Sequence, residues 1–106
     1  MITAQEIQKG KAIAEAAGQA MYNQIGERDA CGFGWVDVFV DRTNSKQAKE
    51  LIAAGFRKDY KPKCLSMWDP AGVPTQSISV KEAGASAMAT YLRTLGLNAY
   101  AGSRLD

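Results

Sequence analysis

Histidine is absent from the 106-residue chain. Imidazole is the side chain that most readily gains and loses a proton near neutral pH, so a Ser-His-Asp triad, a Cys-His pair and any His-ligated metal are excluded. Cysteine is scarce as well. Cys31 and Cys64 are the only two, too few for a four-ligand zinc site and too far apart for a CxxC redox pair. Both are expected to be free thiols in a reducing compartment. Neither sign of charge dominates. Thirteen cations against eleven anions leave +2, which excludes an acidic mimic of nucleic acid. It is also too small a surplus for general nucleic-acid affinity, because each phosphate neutralised needs its own Lys or Arg. Long apolar runs are missing too: Glu15 interrupts the most apolar stretch of the first helix, well short of the roughly 20 residues that span a membrane. With no basic leader in MITAQE, a cytosolic location without membrane attachment is expected.

The usual signs of catalysis are also lacking. The carboxylates are scattered singly, no glycine pattern cradles a phosphate, and GFG at 32–34 opens a strand with no helix behind it. A non-enzymatic chain is expected, with no metal and no cofactor.

What is present is a chain that is 46% apolar and 23% charged, the composition of one globular domain over residues 1–106. Thr3 and Glu6 form a capping box with Ile2 and Ile7 as its staple. The helix it opens carries a stripe of mostly small residues, Ile7, Gly10, Ala14, Ala17 and Met21, widened by Ile13, Ala16 and Ala20. Docking on its own domain is the expected role of this stripe, and pairing with a second copy is the alternative. The segment GFGWVDVFV, 32–40, is rich in aromatic and β-branched residues and reads as a strand. Alternation puts Val36, Val38 and Val40 on one face and Phe33, Trp35, Asp37 and Phe39 on the other. A strand with two apolar faces belongs in the middle of a sheet.

Asn44 or Ser45 caps a short helix with Ala48, Leu51 and Ile52 inward and a stop at Gly55. CLSMW is expected as a second strand, DPAG at 69–72 as a turn, and Thr75–Ile78 as a third strand in a hairpin with the second. Ser79 and Glu82 suggest a capping box for a helix running from Val80 to Leu95 and ending at Gly96. The tail NAYAGSRLD begins as a fourth strand. The result is an α+β fold, an N-terminal helix followed by a ferredoxin-like βαββαβ split sheet, with the helices at 46–54 and 80–95 on one face. The valines would meet those helices. Phe33, Trp35 and Phe39 would then be covered by the N-terminal helix, by a second subunit or by a ligand, and they serve as the candidate interface or stacking face.

Two groups of side chains suit an anionic, partly aromatic ligand. The stretch FRKDYKPK, 56–63, places Arg57, Lys61 and Lys63 around Tyr60, and Trp68, Tyr100 and Arg104 join them from further along. The cations would meet phosphate while the rings stack on a base. RNA-binding domains of the same strand order stack bases on rings of the first and third strands, but TQSIS, the expected third strand, has no ring.

GFGWV, the WDPAG turn running into TQSISVKEAGA, and the terminal AYAGSRLD resemble small proteins encoded by bacteriophages and prophages. That group includes anti-defence proteins such as nucleotide-signal sponges and anti-CRISPR proteins. Taken with the interleaved rings and cations, the resemblance implies a non-catalytic protein of the host cytoplasm that sequesters a nucleotide immune signal, and the small-residue stripe and the aromatic face make a homo-oligomer the expectation. The alternative is a protein inhibitor of a host defence complex, with RNA binding behind both.

Overall fold

The computed structural model describes all 106 residues. The elements are α1 (Ala4–Ile25), β1 (Gly32–Phe39), α2 (Lys46–Ala53), β2 (Arg57–Lys58), β3 (Cys64–Trp68), α3 (Ile78–Thr94) and β4 (Asn98–Leu105). The four strands form one antiparallel sheet in the order β2-β3-β1-β4, making the fold α+β with an N-terminal helix. As the valine pattern requires, β1 is internal, flanked by β3 and β4.

The helix ends follow their local chemistry. Thr3 accepts the Glu6 amide while the Glu6 carboxylate receives the Thr3 amide, the reciprocal pair expected at the start of α1. α2 and α3 end alike. Gly55 and Gly96 adopt φ of 111° and 95°, and the amides of Phe56 and Leu97 reach back to the Leu51 and Leu92 carbonyls.

Two elements differ from the sequence expectation, for related reasons. The partner of β3 in a hairpin is β2, inside the basic stretch, and Thr75–Ile78 contributes only one bridge, Cys31 to Ser77. Asp59 makes the hairpin turn locally: its amide donates to the Cys64 carbonyl and its carboxylate accepts the Lys61 amide. The DPAG turn forms, with the Gly72 amide on the Asp69 carbonyl. Beyond it, however, Ala71 and Val73 are drawn into a small buried cluster with Val80 against Met21, Tyr22 and Ile25 of α1, so the chain leaves the sheet. Ser77 is then used as the cap of α3, which starts two residues earlier than its periodicity suggests. Asp29 locks this junction by accepting the Ser77 hydroxyl and the Ser79 amide. These bonds hold its carboxyl at about 2, below the usual carboxylate range.

The core lies between the helices and one face of the sheet. Val36, Val38, Leu65, Leu51, Met88, Leu92 and Ala99 are all fully buried there. α1 packs on α3 and reaches α2 through Gln47 and Glu50, which bond the backbone at Ile2 and Ala4. Its buried stripe is Ile7, Gly10, Ala14 and Gly18, whereas Ile13, Ala16 and Ala20 face outward. No helix packs over Trp35 and Phe39, and α3 reaches Phe33 through the Lys81 ammonium, 5.7 Å from the ring centroid. Backbone proximity decides where α3 sits: a Cβ on Gly84 would stand 2.5 Å from the Ala71 Cβ and 3.2 Å from the Ala14 carbonyl, and one on Gly34 would stand 2.8 Å from the Lys81 carbonyl. Gly84→Ala is therefore expected to cost about 1–3 kcal/mol through overpacking, read as a lower denaturation midpoint with an unchanged slope.

Candidate functional site

The uncovered face of the sheet carries the functional candidates, and pairing register decides which of them meet. Across from Trp35 stand Trp68 on β3 and Gly102 on β4, while Phe33 faces Arg104 and Asp37 lies between Ser66 and Tyr100. The indoles of Trp35 and Trp68 stack with centroids 4.7 Å apart and planes 25° apart, and Phe33 meets Trp68 edge-on at 6.0 Å. The Arg104 guanidinium covers this group, 5.1 Å from the Phe33 centroid and 6.0 Å from that of Trp68. Gly102 is essential to the arrangement. A Cβ there would come within 2.5 Å of the Trp35 indole, so the ring lies against bare backbone.

Further along the same face, Phe39 and Tyr100 form a second edge-to-face pair with centroids 6.0 Å apart. Trp68 and Tyr100 are 49% and 52% exposed and Tyr60 is 91% exposed, so both groups present ring surface to solvent. The ring that the expected third strand lacked is thus supplied by Trp68, at the end of the strand that does lie beside β1.

A polar knot sits between the ring groups. Asp37 is 9% exposed in the middle of an otherwise apolar strand, a position a carboxylate keeps only with strong partners. Its Oδ2 accepts from the Trp35 indole N–H at 3.2 Å and from the Lys61 ammonium at 3.0 Å. Lys61 also pairs with Asp59 at 3.2 Å. The hydrogen bond to Asp37, then that to Asp59, push the Lys61 ammonium well above the usual lysine range despite its partial burial. Burial opposes ionisation of Asp59, and the Lys61 amide and ammonium outweigh it, holding that carboxyl below its ordinary value. Beneath them Cys64 is fully buried, and burial together with the neighbouring carboxylates pushes its thiol up to about 11. Asp37, Asp59 and Cys64 each offer a donor atom within 4.8 Å of the others, the set that would hold a divalent cation. The cation beside the two carboxylates is the Lys61 ammonium.

The sequence candidates therefore divide. Tyr60, Lys61, Trp68 and Arg104 come together with Trp35 and Asp59 around a cavity of about 220 Å³. Arg57 lines an adjoining hollow of about 450 Å³ with Lys11, Lys58 and Asp69, and Trp68 and Asp59 border both. Tyr100 belongs to the Phe39 pair. Lys63 ends the hairpin loop in a left-handed conformation, φ 56°, with its carbonyl receiving the Val40 amide at 2.9 Å. Lys61 is less available than its place in the basic stretch implies, since two carboxylates already engage it. Sequence reasoning missed Asp37 and Asp59 as members of the site. The signal was present in GFGWVDVFV, where one carboxylate interrupts an apolar strand and must find a cation.

No helix is long and apolar enough to cross a membrane. Comparison with protein-family models, curated proteins and solved structures finds no match.

Two outcomes follow from the knot. Lys61→Met leaves the nearly buried Asp37 without its cation and is expected to cost about 1–3 kcal/mol, between the values for exposed and buried pairs, with Lys61→Met/Asp37→Asn recovering part of the loss in thermal melts. A water-soluble disulfide reagent is expected to modify the exposed Cys31 promptly and to reach Cys64 only after denaturant is added. Prompt reaction of both thiols would contradict the closed floor.

Proposed function

We propose that the chain is a non-catalytic binding domain whose open sheet face takes a nucleotide. The observation that carries this reading is the stacked Trp35–Trp68 pair, roofed by Arg104 and opening into the cavity bordered by Tyr60. A base laid against such rings gains stacking energy whatever its identity, and a guanidinium beside the rings offers a forked donor for phosphate. The adjoining hollow adds Arg57, Lys58 and Lys11 on the far side of Trp68, a place for a phosphate group whose base lies on the indoles.

Two further elements of the reading rest on sequence. One is a ferredoxin-like split βαβ organisation, supported by the element order and by a first strand lying between the third and the fourth. The other is a role in sequestering a nucleotide immune signal in a host cytoplasm, which rests on the resemblance to phage-encoded anti-defence proteins, with a homo-oligomer expected from the small-residue stripe of α1 and the aromatic face. A host defence protein docked on the same face is the second reading, favoured by the half-exposed Trp68 and Tyr100 and the exposed Tyr60.

Both tryptophans of the chain lie on the proposed surface, so intrinsic fluorescence reports occupancy without a label. Titration with a panel of linear and cyclic nucleotides is expected to quench the emission, and Trp68→Ala and Arg104→Ala are each expected to weaken binding about tenfold or more. Unaltered emission and an unshifted melting temperature across the whole panel would remove the nucleotide reading, and capture of one host protein through the same residues would replace it.

A further inference from the structure

The aromatic surface is longer than one base, and this decides the class of ligand. On β1, Trp35 and Phe39 point to the same open face four residues apart, roughly 13 Å at about 3.3 Å per residue. Trp35 and its stacked partner Trp68 form one platform, and Phe39 with Tyr100 forms the other. On β4, Gly102 lies under the Trp35 ring and Tyr100 comes two residues before it on the same side of the strand. The rings thus run diagonally across β3, β1 and β4. Neighbouring bases in a stacked strand are only about 3.4 Å apart, so a ligand touching both platforms has splayed bases, the state that single strands permit and duplexes forbid.

Charge follows the row. The open face and its loop carry Arg57, Lys61, Lys63 and Arg104 against Asp37 and Asp59. The two carboxylates are held by Lys61 in the middle, which leaves Arg104 beside the first platform and Lys63, tied by its carbonyl to Val40, at the Phe39 end. Arg104 and the Lys81 ammonium, 5.7 Å from the Phe33 centroid, thus stand by the first platform and the Lys63 backbone by the start of β3 opposite Phe39, none of the three paired with a carboxylate, and the carboxylates lie off the ends where phosphates would be placed.

Building on the nucleotide reading, we infer that the ligand is a single-stranded oligonucleotide of at least two bases. One base rests on the half-exposed ring of Trp68, which Trp35 backs, the next on Phe39 and Tyr100, and flanking phosphates meet Arg104 and Lys63. A mononucleotide fills only the first platform.

The probes are thymidine monophosphate and thymidine oligonucleotides of two, four and eight residues, with affinity read from tryptophan quenching of the full chain. The tetranucleotide is expected to bind at least about tenfold more tightly than the monophosphate, the contribution of one added stacked base. Phe39→Ala and, independently, the half-exposed Tyr100→Ala are expected to bring the tetranucleotide-to-monophosphate ratio close to one. Equal affinity for all lengths, or a ratio that neither substitution moves, overturns the two-base ligand and leaves the nucleotide reading standing. Absence of quenching by any of the four probes and by the nucleotide panel overturns both. A dimer whose dissociation exposes these rings would show the face to be covered by a second copy, and would equally overturn the inference.

Discussion

α3 is held on two sides, by the valine face of β1 and by the small-residue stripe of α1, and almost everything else about the molecule depends on how close those contacts are. Gly84 lets Ala71 and the Ala14 backbone approach the helix, and Gly34 lets the Lys81 backbone come down onto the strand. Burial of Met88, Ala89 and Leu92 follows from that approach, since those side chains fill the remaining space. Once α1 is committed to α3 it is unavailable to the opposite face of the sheet. The rings of β1, β3 and β4 are left open by the same packing that stabilises the core.

That open face tolerates a charge in its centre because the chain supplies the counter-charge locally. Asp37 lies on a strand and Lys61 on the loop between β2 and β3, so the ion pair ties the loop onto the sheet and fixes the direction in which Tyr60 and Lys63 leave it. Asp59 does double service, shaping the hairpin turn through the Lys61 amide and holding the Lys61 ammonium. The short strand β2 is a by-product of this turn. Its two residues pair with β3 because the chain has just left the glycine ending of α2 in an extended course.

Much of this was legible in the residues. The capping box at Thr3, the two glycine stops, the two faces of GFGWVDVFV and its internal place in the sheet all follow from local rules that tertiary contacts did not override. The strand placed at Thr75–Ile78 failed where local and distant demands conflict. TQSIS alternates like a strand, yet Asp29, some 48 residues earlier in sequence, bonds the Ser77 hydroxyl and turns that residue into a helix cap. Of the site, Tyr60, Trp68 and Arg104 were recognisable because rings interleaved with cations are a compositional signal. Their meeting with Trp35 was not, because it depends on pairing register, and CLSMW alone does not say that Trp68 stands opposite Trp35.

Gly102 has one more effect. An indole lying on bare backbone, stacked on a second indole and bonded through its N–H to Asp37, has its torsion angles chosen before anything arrives. Side chains that must be immobilised on association typically forfeit about 0.5–1.5 kcal/mol each, and Trp35 is largely spared that loss. Glycine, the smallest residue, thereby makes the largest ring on β1 a rigid backing for Trp68, while Tyr60, 91% exposed at the margin, has no comparable brace.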